Sequence, residues 1–262
     1  MYNKYIVIIT AENKEKYIVN TIFSCLNNFN KNKIKIFVTY TKLSNEFELK
    51  NKFNDFKNII FIKTLIKKKY PTQDQLNKIQ SVIKYINNEW ILLLDGDDLF
   101  HPSKIKILEN LKLDKKKIYL HNHYKSIDRY KISSKNKFYK KNFLYKKLIN
   151  NWPDKIATSG IVVSGNLLKK FFNNSNPYKW KYLAIDVQII LFYFYKKKFE
   201  FLNKNLTTKI ENINNLDKTF FKLSSKIFWI RRMEQHSMTK ELSGKLNIID
   251  RLLTFIFLSL VR

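Results

Sequence analysis

Apolar residues follow two rhythms along this chain. Unbroken apolar, β-branched runs occur at Tyr5 to Thr10, Lys33 to Tyr40, Asn58 to Ile62 and Trp90 to Leu94, and each reads as a strand. Between them lie segments with apolar residues at helical spacing. The first follows Asn13, a candidate N-cap, and carries Ile18, Ile22, Cys25, Leu26 and Phe29. Another, Thr72 to Asn87, carries Leu76, Ile79, Val82, Ile83 and Ile86. Strands that are apolar throughout, alternating with helices, predict an α/β unit: a mostly parallel sheet covered on both faces. Ligands of such sheets collect outside the carboxyl ends of the strands. Thr10, Ala11 and Glu12 follow one strand and Asp95 to Asp98 follow another, so the two segments can share one site.

Past Pro102 the rhythm loosens. A short helix to Leu111, a strand at Lys117 to Tyr124, a lysine-rich stretch from Lys125 to Lys147 and a strand at Ser159 to Ser164 are expected. A nearly wholly apolar helix follows at Leu183 to Tyr195, then a strand around Phe199 to Leu202 and a basic segment from Trp229 to His236. Ile248 to Val261, flanked by Arg251 and Arg262, reads as a C-terminal apolar helix. Either it packs on the protein's own core or it lies against the inner face of a membrane, as a peripheral contact. It is too short to span a bilayer, which takes roughly 20 apolar residues.

Charge alters this picture. Fifty Lys and Arg against 21 Asp and Glu give a formal net charge of +29 on 262 residues. A field of that sign attracts sugar diphosphates, lipid headgroups or nucleic acid. The lysines are spread along the chain, and no recognised nucleic-acid motif accompanies them, so nucleic acid is the least favoured partner. The single Cys25 is placed on the apolar side of its helix and reads as a core residue. The N-terminal apolar run lacks a cleavage site and fits a first strand, which points to a cytoplasmic chain.

The chemistry gathers at the acidic turn. Packing does not require three carboxylates, Asp95, Asp97 and Asp98, at the end of a buried strand. Carboxylates this close repel, and the usual relief is a hard divalent cation such as Mn²⁺ or Mg²⁺, completed by substrate phosphates and water. Gly96 allows a tight backbone between them. The alternative is a solvated turn in which Asp98 caps the next helix. A nucleotidyltransferase would also hold metal and phosphate on such a sheet, but the glycine-rich loop expected near the first strand is missing: the segment Thr10 to Lys16 contains no glycine.

The segments YIVIITAENKEKYIVNTIFSCLNN and EWILLLDGDDLFHP together resemble the nucleotide-binding half of the family 2 glycosyltransferases. That resemblance implies a GT-A fold, a Rossmann-like mostly parallel central sheet flanked by helices, here with a helical C-terminal extension. It implies residues 1–101 as the nucleotide-sugar-binding half, 102–222 as the acceptor-binding half of the same domain, and 223–262 as a C-terminal helical segment. The partners it implies are a nucleotide-sugar donor and a glycan or lipid-linked acceptor. In the resemblance Asp95 lies near the ribose, and Asp97 coordinates the metal, with Asp98 a second candidate. The acidic pair that the family carries after its second strand is replaced by Val38-Thr39-Tyr40-Thr41. Thr39 and Tyr40 are therefore either base contacts or simply strand end, and Lys78 either meets phosphate or is solvated.

In the second half, TSGIVVSGNLLKKF resembles the acceptor-side strand and helix, which makes Thr158, Ser159 and Gly160 acceptor candidates. YLAIDVQIILFYFY resembles the segment that carries the general base of inverting transfer, at Asp186. A base there would take the proton of the attacking hydroxyl, and an apolar wall would raise its pKa usefully. Arg231 and Arg232 are candidate phosphate contacts. His236 is a candidate to complete the metal shell, and Glu211 competes for that role. His101, His121 and His123 have no metal-ligand spacing.

Overall fold

The computed structural model describes residues 4–11, 15–28, 34–65, 67–127, 131–133, 156–211 and 223–261. Glu12, Asn13, Phe29, Arg262 and most of the lysine-rich stretch lie outside the described residues, as does the side chain of Glu211.

The strands are β1 (Tyr5–Ala11), β2 (Ile34–Tyr40), β3 (Ile59–Lys63), β4 (Trp90–Asp95), β5 (Leu99–Phe100), β6 (Ile118–Ile127), β7 (Lys131–Ser133), β8 (Ile161–Ser164) and β9 (Phe199–Glu211). The helices are α1 (Glu15–Leu26), α2 (Glu46–Lys52), α3 (Pro71–Gln80), α4 (Lys104–Asn110), α5 (Gly165–Asn174), α6 (Ile185–Tyr195), α7 (Lys226–Ser243) and α8 (Ile248–Leu260). One sheet runs β3-β2-β1-β4-β8-β6-β9-β5, with β7 paired to β6. β1 to β4 are mutually parallel, and β8 inserts antiparallel between β4 and β6. The expected mostly parallel α/β sheet flanked by helices, with helices at the C-terminus, is the observed architecture.

Alternation explains why the strand sequences are apolar throughout. Tyr5, Val7 and Ile9 enter one core with Ile18, Ile22 and Cys25 of α1. Ile6 and Ile8 enter the opposite core with Leu76 and Ile79 of α3 and most of α6. Both faces are covered, so neither can be polar. Cys25 is buried, as expected of a core residue.

The chain order reverses at β1: β2 and β3 build outward on one side, and β4 returns to the other. The β1/β4 seam is therefore the topological switch point, where open α/β sheets bind ligands. Asp95 lies at its carboxyl end, in register with Thr10.

Three elements differ from the sequence expectation. The helix expected over Thr72 to Asn87 ends at Gln80 and tightens to a 3₁₀ turn at Ile83–Tyr85, where the Ser81 hydroxyl donates to the Lys78 carbonyl. The strand expected at Ser159 to Ser164 opens as a 3₁₀ turn at Thr158–Gly160. β9 runs far past Leu202, because a register shift against His121 to His123 of β6 absorbs the polar Asn203-Lys204-Asn205 interruption that hides the strand in the sequence.

Candidate active site

The acidic turn is sewn to β1 before any ligand arrives. Gln75 of α3 donates its amide to Asp95 Oδ1 at 2.9 Å and to Thr10 Oγ1 at 3.3 Å, while Thr10 donates to the same Asp95 oxygen at 3.4 Å. The Gly96 N–H donates to the Thr10 carbonyl at 2.9 Å, and the Thr21 hydroxyl donates to the Gly96 carbonyl at 3.1 Å. A Cβ on Gly96 would sit 3.1 Å from the Thr10 carbonyl oxygen and 3.2 Å from Ala11 Cα. Close approach to the end of β1, rather than an unusual φ, is what makes glycine fit here.

Asp95 keeps partial exposure, whereas Asp97 and Asp98 are buried. Ser159 joins the carboxylates to the second half of the sheet. Its hydroxyl accepts from the Asp95 N–H at 3.1 Å and donates to Asp98 Oδ2 at 2.6 Å, and Asp98 Oδ1 accepts from the Ile210 N–H at 3.3 Å. Burial, then the charges of Asp95 and Asp97, push the Asp98 carboxyl up to about 8, with the Ser159 hydrogen bond opposing. Beneath it lies Lys104, whose ammonium reaches the Ser159 carbonyl at 3.3 Å and Thr207 Oγ1 at 3.2 Å over the ring of Phe100. Burial pushes Lys104 down to about 7.

Asp186 enters from the first turn of α6. Its carboxylate accepts from the Val187 N–H at 2.7 Å. Burial pushes it up to about 6 against the pull of Arg231, and the negative charge of Asp95 adds to the rise. The side chain nonetheless keeps partial exposure, so a proton can reach it. Asp186 therefore lies close enough to Asp95, Arg231 and Lys209 to feel all three charges. The loop that aims it is fixed from α7: Glu234 accepts from the N–H groups of Lys181, Tyr182 and Leu183 at 3.0, 2.8 and 2.7 Å.

Other candidates occupy places that the sequence left open or assigned differently. Thr39 is buried and donates to the Ile9 carbonyl, and Tyr40 is buried with its hydroxyl on Glu46, so both are used by the strand end. Lys78 is not solvated: it is buried and ion-paired with Asp74 at 2.7 Å. Ala11 ends β1 in the core. Thr158 and Gly160 are buried beside Ser159, and a Cβ on Gly160 would lie 2.6 Å from the His121 carbonyl oxygen, so the small residues there serve strand packing. Arg232 engages α8, with one guanidinium nitrogen 2.6 and 2.7 Å from the two oxygens of Asp250. His236 is wholly buried, 3.3 Å from the Thr254 hydroxyl and 3.6 Å from Asp250, so α8 engages the ring assigned to the metal shell.

Sequence reasoning passed over Gln75, Lys104, Lys209 and Glu234. A signal existed for the first. Helices of a parallel sheet begin beside the carboxyl strand ends, so a residue early in α3 such as Gln75 is placed to reach the acidic turn. Lys209 sits in the part of β9 that the polar interruption conceals.

Among the described residues no three His, Cys, Asp or Glu side chains are placed to hold a metal by themselves. A divalent ion held by one or two carboxylates and completed by phosphate oxygens suits such a donor set, and the Asp95 and Asp97 charges that add to the effect of burial on Asp98 are the kind a cation relieves.

No family model matches this chain, and no curated protein does. Solved structures do. Staphylococcus aureus TarS residues 1–349 in complex with UDP-GlcNAc superposes with a TM-score of 0.63 at 13% identity, covering 98% of this chain and 71% of that one. The same TarS fragment with no ligand named gives 0.61 at 14% identity, covering 97% and 69%. The mannosyltransferase PcManGT from Pyrobaculum calidifontis, in complex with GDP-Man and Mn²⁺, gives 0.55 at 9% identity, covering 99% and 71%. What this chain shares with these proteins is the GT-A-like fold, a mostly parallel sheet flanked by helices.

Proposed function

We propose that this chain is an inverting glycosyltransferase that moves a sugar from a nucleoside-diphosphate donor, a UDP-sugar, to a hydroxyl of a glycan or lipid-linked acceptor in bacterial surface polysaccharide or lipopolysaccharide synthesis. One observation carries the reading: Asp186, partly exposed at the first turn of α6, lies near enough to Asp95 at the switch point for their charges to interact, and burial raises its carboxyl to about 6. A base tuned near neutrality beside an acidic turn suits hydroxyl activation next to a bound diphosphate. The TarS complex with UDP-GlcNAc and the PcManGT complex with GDP-Man and Mn²⁺ support the same donor class.

In this mechanism Asp186 takes the proton of the acceptor hydroxyl as that oxygen attacks the anomeric carbon. The bond to the donor phosphate breaks, and its electrons leave with the nucleoside diphosphate. The positive charge of Arg231 favours the ionised form of Asp186, and Arg231 is the candidate to meet phosphate. Asp95, held by Gln75 and Thr10, meets the ribose. Asp97 is the first candidate to hold Mn²⁺ or Mg²⁺, with Asp98 as its buried support. A bound divalent ion supplies positive charge to the departing diphosphate.

The test is a panel of UDP-, GDP- and dTDP-sugars incubated with Mn²⁺, with nucleoside diphosphate release as readout. Release from one donor class, abolished by Asp97→Ala, is the expected result. Release from none, combined with salt-dependent oligonucleotide binding, would replace this reading with a nucleic-acid-binding one.

A further inference from the structure

The helix α8 is built inside out for a helix at a protein surface. Its polar stripe faces inward: Asp250 and Thr254 are 2% and 0% exposed, against Arg232 and His236 of α7. Its outward face is apolar. Ile248 is 72% exposed, Leu252 and Phe255 are each 57% exposed, and Leu260 is 69% exposed, with Ile249 and Ile256 between them. Leu253 and Phe257 are exposed as well, at 40% and 44%, and the exposed polar side chain among them is the uncharged Ser259. A continuous apolar face of this kind marks an interaction surface.

Charge selects the occupant. The one acid of α8 is sealed in the ion pair with Arg232, while Lys245 is exposed just before the helix and Arg251 flanks the apolar face. The whole chain carries +29, so two copies meeting through α8 would bring like charges together. An anionic bilayer instead offers apolar depth to the face and negative charge to its rim, the two signals that peripheral anchoring requires. Among the described residues no helix is long and apolar enough to cross a membrane. At 13 residues α8 is about 20 Å long and would lie in the plane of the surface.

We propose that α8 docks this protein flat onto an anionic lipid surface, with Ile248, Leu252, Phe255, Ile256 and Leu260 entering the headgroup boundary. This inference rests on α8 and the positive charge around it, and holds whatever the chain transfers.

The experiment is co-sedimentation of the full chain with vesicles of phosphatidylglycerol and, separately, of phosphatidylcholine. The wild type is expected to partition onto phosphatidylglycerol in preference to phosphatidylcholine. The variant Leu252→Ser, Phe255→Ser, Ile256→Ser should lose roughly a hundredfold in partition with an unchanged Tm, since the three side chains are exposed in the free protein. The milder Phe255→Ser should fall in between. Equal partition of the triple variant would overturn the proposal in favour of surface lysines acting alone. Absence of binding by a wild type that sediments as a dimer without lipid would overturn it in favour of a second copy.

Discussion

At the carboxyl end of β4, the apolar run Trp90 to Leu94 is sealed in the sheet and three aspartates are gathered at its rim; along α8, Asp250 and Thr254 are sealed and a row of Ile, Leu and Phe faces outward. Both segments are apolar runs that carry a few polar residues. Their fates differ because a strand in a parallel sheet has covered neighbours on both faces, which leaves only its end for charge. A terminal helix turns whichever stripe its partner can satisfy. α7 offers Arg232 and His236, so α8 presents Asp250 and Thr254 to it, and Trp229 stacks on Phe257 at 4.7 Å beside them. The lesson is that apolar content assigns the strand's environment but leaves the helix's orientation to the chemistry of its neighbour.

The comparison can be broken first at the site. Asp186→Asn should cut transfer about a thousandfold while donor binding, followed by quenching of tryptophan fluorescence, stays within error. In the wild type the base works only when deprotonated. A carboxyl raised to about 6 therefore predicts that kcat falls as pH drops through 6 and is flat above about 7. A profile with no inflection in that window would remove Asp186 as base.

The next effect belongs to the helical pair. Asp250→Ala removes a carboxylate, 3% exposed, that pairs with the Arg232 guanidinium, and should cost about 3 kcal/mol in urea unfolding. A loss near zero would mean that the α7/α8 contact rests on the Trp229–Phe257 stack and the His236–Thr254 contact rather than on the ion pair. Smaller still is Ser159→Ala, which leaves Asp98 without its 2.6 Å donor and should lower stability by about 2 kcal/mol, together with weaker donor binding. Stability loss with unaltered donor affinity would make Ser159 a packing residue only.

Much of this was legible in the chain. The β1 run, the α1 spacing and the apolar approach to Asp95 needed only periodicity, and the acidic turn stood out because packing does not call for it. What escaped notice depends on which partner each side chain takes, some near in sequence and some remote. Tyr40 looked available for stacking, yet Glu46 engages its hydroxyl; Lys78 looked available to phosphate, yet Asp74 lies one helical turn before it, an i,i+4 pair visible in the sequence. Ser159 looked like a place for an acceptor, and its double role between Asp95 and Asp98 depends on β8 pairing antiparallel with β4, which no local pattern encodes. Lys209 and Ile210 reach the turn only because the bulge in β9 restores its register after Asn205.

Glu234 carries a practical consequence. Its carboxylate gathers three successive backbone amides ahead of α6, so the direction in which Asp186 points is determined from a helix that follows it by more than one turn of the fold. A shortened protein ending before Lys226 would retain every aspartate of the acidic turn and Asp186 itself, yet would lack the brace that orients the latter. Minimal versions designed for crystallisation or engineering should therefore keep α7 intact, and a donor-binding but inactive fragment is the outcome expected if they do not.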